Sequence, residues 1–186
     1  MLLLTAALVV PYFVDWAGYR SSFEREASAL LGRPVTVAGS ASARLLPFPS
    51  VTFSDVRVGD PAAEPVMTIE NFSMDAELAP FLRGEILIFD MRLEKPAATV
   101  RIDKDGVVDW AIRPRTPFRR AQVKLENLQI NNGSLVVRDA STGTTRSISG
   151  LNATMSAEDL SGPWKFDGSL LFNGRKLSVS SSTGAL

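Results

Sequence analysis

From residue 35 onward, apolar residues recur at every second position, the period of a strand with one buried face. Val35, Val37, Ala41, Ala43 and Leu45 begin the pattern. Val51 and Phe53 follow, then Val56 and Val58, Met67 and Ile69, Phe72 and Met74, Ile86 and Ile88, Met91 and Leu93, Val123 and Leu125, Leu128 and Ile130. Further runs hold Leu135 and Val137, Ile148, Leu151, Ala153 and Met155, then Trp164 and Phe166, and Leu177 and Val179. The stretches LPFPS, PFLRGE, DKDG, DASTG and NG between them are turn chemistry. The pattern predicts a mainly β chain, antiparallel throughout and built from hairpins.

The alternation also slips. Residues 51 and 53 are followed by 56 and 58, and 67 and 69 by 72 and 74. Residues 86 and 88 are followed by 91 and 93, and 123 and 125 by 128 and 130. The residue before each restart is Asp or Asn: Asp55, Asn71, Asp90 and Asn127. A one-residue slip would turn every later side chain to the wrong face. A β-bulge absorbs the extra residue and adds twist, and Asp and Asn tolerate the backbone it needs. The sequence therefore predicts a row of bulges or bends that curves the sheet, with Asp109 and Gly150 as further members. The slip recurs inside a repeated stretch: FSDVRVGDP at 53–61, IFDMRLEKP at 88–96 and, more loosely, LENLQINNG at 125–133.

Before the strands, residues 15–32 predict an amphipathic helix that caps one end of the sheet. Asp15 is its N-cap and Gly32 with Pro34 its stop. Its apolar stripe is Trp16, Tyr19, Phe23, Ala27 and Leu30. Residues 1–14, MLLLTAALVVPYFV, carry no charge. The run is short of the roughly 20 residues that span a bilayer, and no basic n-region precedes it. A truncated membrane anchor, a signal segment and a buried helix all fit. The first two place the rest of the chain outside the cytoplasm.

Composition narrows the function. The chain has 186 residues, zero formal net charge, no Cys and no His. A broad basic surface for nucleic acid has no support. Zinc sites, thiol chemistry and Ser–His or Cys–His catalysis drop out together. Asp103 and Asp105 share a turn with Gly106, so they read as solvated turn residues rather than as an acid/base pair or a calcium site. The Arg-rich RPRTPFRR at 113–120 reads as a solvated linker, with contact to anionic headgroups as the alternative. No enzyme, metal or cofactor is called for. The single apolar face must be covered, either by a second sheet in a sandwich or by acyl chains lying in a trough. The candidate face is Val51, Phe53, Val56, Val58, Ile69, Phe72, Met74, Ile86, Ile88, Met91, Leu93, Leu125, Leu128 and Ile130.

A series of motifs stands in order along the chain: Gly32, Arg33, Val35, Val37 and Gly39; Leu45, Pro47 and Pro49; Asp55, Val56 and Val58; and Met67. Pro80, Phe81, Leu82 and Gly84 follow, then Ile86, Ile88 and Pro96, and finally Asp105, Gly106, Asp109 and Trp110. In this order they resemble the N-terminal region of the AsmA family over nearly the whole chain. Phe81 stands where the family usually has Leu, and the anchor lacks the usual basic flank and full length. AsmA-like proteins are typically longer, so the chain looks like an N-terminal fragment. The resemblance implies an open, curved, chorein-like β-groove on residues 33–186. It implies a single-pass inner-membrane protein with its bulk in the periplasm and a part in outer-membrane biogenesis. Its groove would conduct phospholipid, with acyl chains and the inner membrane as partners, and outer-membrane or periplasmic assembly factors as further ones. The alternative it carries is a β-sandwich scaffold that regulates outer-membrane protein assembly or targeting to the membrane.

Overall fold

A computed structural model describes residues 16–44, 48–77, 88–109, 125–157 and 163–183, with the side chains of residues 16–19, 125 and 157 outside that description. One helix, α1 (Trp16–Leu31), precedes eleven described strands. These are β1 (Val35–Val37), β2 (Ala41–Arg44), β3 (Ser50–Val58), β4 (Met67–Ala76), β5 (Ile88–Glu94) and β6 (Ala97–Ile102). Then come β7 (Val108–Asp109), β8 (Leu125–Asp139), β9 (Thr144–Ala157), β10 (Trp164–Phe172) and β11 (Arg175–Ser182). All belong to one curved sheet in the order β1-β3-β4-β5-β8-β9-β10-β11. β2 pairs with β3, β6 lies between β4 and β8, and β7 pairs with β6.

The sheet is mixed, which corrects the expectation of antiparallel pairing throughout. β5 and β6 both run parallel to β8. Residues 88–102 form an almost continuous strand, and their partners in β8 lie at a constant offset of 37, from Asp90↔Asn127 to Ile102↔Asp139. The second and third copies of the repeated stretch therefore lie side by side, position for position. Two side-chain rungs fix this register. Asn127 Nδ2 donates to Asp90 Oδ1 at 2.6 Å, and Asn131 Nδ2 donates to Glu94 Oε1 at 2.7 Å. A parallel pair needs a crossover of about a dozen residues or more, and the sequence between Ile102 and Leu125 is long enough for one. Alternation reports which face a residue occupies and is blind to strand direction, so the hairpin reading missed the crossover.

The slips in alternation mark real irregularities. Asp55, Lys95, Asn132 and Gly150 have positive φ, at 52°, 48°, 53° and 57°. Each resets the phase, so that the apolar positions run 53 to 56, 93 to 96, 130 to 133 and 148 to 151 without changing face. Asp55 and Gly150 were legible as members of the row. Registers also shift beside Asp90, between Asp75 and Ala76 of β4, and around Asn127, between Leu125 and Leu128 of β8. At Asn71 the slip takes another form: Ile69 and Phe72 are both buried, so β4 changes phase there, but β3 and β4 stay in register through Ser54↔Asn71 and Val56↔Ile69 because both strands change phase at the same level. Asp109 is a correction, since it pairs with Arg101 in register and its carboxylate meets Arg33.

α1 lies along the β1 edge and on the adjoining apolar face. Its end is a left-handed cap, with Gly32 at φ 69° and its N–H bonded to the Ser28 carbonyl at 2.9 Å. The N–H groups of Val35 and Val37 donate to Ser28 Oγ (2.8 Å) and Glu24 Oε1 (2.7 Å). Arg20 Nη2 donates to the Gly39 carbonyl at 2.8 Å. Residues 28, 24 and 20 are one helical turn apart, and 35, 37 and 39 are alternate residues of β1 and of the link to β2. Four helical residues rise about 6 Å and two strand residues about 6.6 Å, so helix and strand keep step while running antiparallel. On the inner side Phe23 stacks on Phe53 at 4.2 Å and meets Phe72 at 5.4 Å. Phe23, Ala27 and Leu31 pack on the core, while Leu30 is 41% exposed, so the apolar stripe ends one residue later than its spacing suggested.

Candidate functional site: an apolar face that α1 covers only in part

Strand register places the apolar side chains in rows that cross the sheet. One row runs Val51, Met74, Met91, Leu128, Met155 and Phe166. Beside it run Phe53, Phe72, Leu93, Ile130, Ala153 and Gly168, then Val179 on β11. Because every second residue shares a face, both rows occupy the α1 side of the sheet.

Cover is uneven along these rows. Phe53, Val56, Val58, Ile69 and Phe72 form a closed core with Val35, Val37 and Val66 beneath α1. Five of the candidate residues therefore serve packing. Val51, Met74, Met91 and Leu93 flank that core and are half-buried. Leu128 and Ile130 lie further out, half-buried, and Ile88 is half-buried near one rim. Ile86 and the side chain of Leu125 lie outside the described residues. The run 1–14, the turn at 80–85 and the linker at 113–120 also lie outside them.

Beyond β5, Ala153 is the one buried apolar residue among the described residues. Met155 and Phe166 are half-buried there, and Leu177 and Val179 are 45% and 41% exposed. The rows were readable in the alternation at 151–155 and 164–166, but these residues join the face only once β8 pairs with β5. The floor also changes size, from Phe53 and Phe72 to Ala153 and Gly168. A Cβ on Gly168 would stand 2.9 Å from the Ala153 Cβ, and one on Gly133 3.1 Å from Ile130 and 3.2 Å from Pro96. Small residues are thus required at these two positions of the floor. Among the described residues no strand packs face to face on another, so the closed-sandwich alternative has no second layer.

The other face is polar and ion-paired. Asp90, 5% exposed, takes Asn127 on one oxygen and pairs through the other with Arg92, which also reaches Asp75 at 3.4 Å. Lys95 bonds Glu70 at 2.8 Å, which raises the Lys95 pKa and links β4 to the left-handed row. Hydrogen bonds from the Arg57 guanidinium hold the Asp55 carboxyl below its ordinary range. At the β8–β9 turn the Asp139 carboxylate accepts from Ser141 and Thr142 and is lowered to about 2. These carboxylates are paired or capping, and no group of three or more metal-ligating residues occurs among the described residues. The arrangement can shelter an apolar ligand on one face while the other stays in water.

The profile of the AsmA family matches residues 1–182. No curated protein and no solved structure matches the chain. No described helix is long and apolar enough to cross a membrane.

Proposed function

Because the chain belongs to the AsmA family, which serves outer-membrane biogenesis and lipid transport, we propose that its open apolar face holds phospholipid acyl chains. The observation that carries this reading is the continuation of two apolar rows from the α1 core across β8, β9 and β10, one of them reaching Val179 on β11, with no facing layer among the described residues. Strands stand about 4.8 Å apart, so β5 to β11 spans roughly 19 Å. One leaflet of a bilayer core is about 15 Å deep, so a tail fits lengthwise along a row. Transfer is passive: each sheltered methylene contributes about 0.8 kcal/mol, and headgroups remain in water. The run at 1–14 holds the unit to the inner membrane, with the sheet in the periplasm.

Native mass spectrometry of the purified chain tests this. Phospholipid co-purifies with the wild type. It is lost in Ile130→Asp and Phe166→Asp, which place a carboxylate on the half-buried floor, and kept in Thr154→Asp on the polar face. Far-UV circular dichroism confirms that each variant is folded. A monodisperse, lipid-free wild type that binds no added phospholipid sinks the reading and favours a scaffold role in outer-membrane protein assembly.

A further inference from the structure

Phe48 and Phe89 have no part in the apolar rows. Phe48 is 51% exposed, and its ring meets Phe89 edge-on at 5.6 Å. Both stand at one rim of the sheet. Phe48 adjoins Pro49, whose carbonyl accepts the Ala76 N–H at 2.8 Å, and Phe89 follows Ile88, which pairs with Ala76. The same rim holds the end of β2, where Arg44 pairs with Ser50. Phe89 is half-buried, and the pair still leaves about half of Phe48 in solvent, more than packing alone calls for.

The stepping of α1 along the edge shows which way this rim points. Ser28, Glu24 and Arg20 lie level with Val35, Val37 and Gly39. One more turn brings Trp16, the first residue of α1, level with Ala41. From there β2 needs only three residues, roughly 10 Å, to reach Arg44 at the rim. α1 therefore begins at the Phe48–Phe89 end of the sheet, and the sequence ahead of it, residues 1–14, carries no charge. The turns at Asp60–Pro65, Asp103–Gly106 and Ala140–Gly143 all lie at the opposite rim. That rim also exposes apolar residues, Val107 at 56% and Val108 at 46%. What separates the two rims is where α1 begins.

We propose that the Phe48–Phe89 rim rests on a phospholipid bilayer, with the two rings in the headgroup region and the sheet standing away from the surface. Apolar side chains at an interface bind in proportion to the area they bury. Among the described residues Arg44 and Glu77 bring opposite charges to this rim, so the contact is expected to form on phosphatidylcholine without anionic lipid. The inference goes beyond the groove reading, since a groove holds lipid whether or not its rim touches a membrane.

The chain has no Cys, so a single one takes an environment-sensitive fluorophore at a chosen site. Glu77→Cys labels this rim with both rings intact, and Lys104→Cys labels the opposite one. On phosphatidylcholine vesicles carrying headgroup-proximal spin-labelled lipid, the label at 77 is strongly quenched and the label at 104 is not. Adding Phe48→Ser and Phe89→Ser lowers quenching at 77 by about threefold or more. Phe48→Ser alone, at a half-exposed position, gives a smaller loss and guards against misfolding. An unquenched label at 77 in vesicle-bound chain, equal quenching at 104, or no response to the ring substitutions overturns the proposal. Lipid co-purification in the same samples reports separately on the groove.

Discussion

Asn132 offers the sharpest check on how the sheet keeps one face apolar across its bends. It sits in β8 between Ile130 and Gly133 with φ 53°, and its N–H donates to Asn152 Oδ1 at 3.0 Å. Its side chain is exposed, so burial does not confound a substitution. An ordinary L-residue in this conformation costs about 1–2 kcal/mol, a β-branched one lies at the upper end, and Asn and Gly are tolerated. Asn132→Gly should therefore be nearly neutral, its relaxed backbone offset by about 0.5–1 kcal/mol of added unfolded-state entropy. Asn132→Ala should cost about 1 kcal/mol and Asn132→Val about 2 kcal/mol. For a chain of this size the Val variant corresponds to a fall of about 4–8 °C in melting temperature. Urea and thermal unfolding followed by far-UV circular dichroism give the series directly. If Val, Ala and Gly fall within 0.5 kcal/mol of one another, the left-handed residue is dispensable and the phase-reset account of the bend fails.

Three other outcomes follow from the packing and the polar face. Phe23→Ala removes the ring between Phe53 and Phe72, and should destabilise the chain by about 3 kcal/mol, read by urea unfolding. Asn127→Leu leaves the buried Asp90 with one fewer donor and should cost about 1–3 kcal/mol, with faster amide exchange in β5 and β8 than in β3. Asp139 is lowered to about 2 when folded, so its contribution to the β8–β9 turn is complete above the ordinary carboxylate range near 4 and is lost as pH falls from there through 2. NMR titration of the Ser141 and Thr142 amides should show that midpoint, and Asp139→Asn should abolish the acid transition at those two residues.

Much of the architecture was written in the alternation. Period-two apolar runs named the strands, and the slip at Asp55 named a bend, because a side chain on the wrong face of a one-sided sheet is costly. Strand direction left no such trace. The parallel pairing of β5 with β8 rests on two carboxamide–carboxylate rungs whose members stand far apart in sequence. Lys95 and Asn132 escaped notice because Lys is a poor marker of left-handed backbone and Asn132 follows another Asn. The site was legible as a list of apolar residues, and the list mixed two populations. Phe53, Val56 and Ile69 pattern like Leu128 and Ile130, but only the first three belong to the core on which Phe23, Ala27 and Leu31 of α1 pack. Which part of a uniform stripe is roofed depends on where one helix lands.

The two lateral borders of the sheet differ in what they offer a newcomer. At β1 the amide hydrogens of Val35 and Val37 are already engaged by a hydroxyl and a carboxylate, so no backbone can dock there. At β11 eight residues pair on one side only among the described residues. Lateral growth is thereby favoured in one direction: among the described residues, the other strands paired on one side only are the short β2 and β7, so the long border open to more pleated ribbon is Arg175–Ser182. A repeating fibre needs two long open borders, and the described residues offer one.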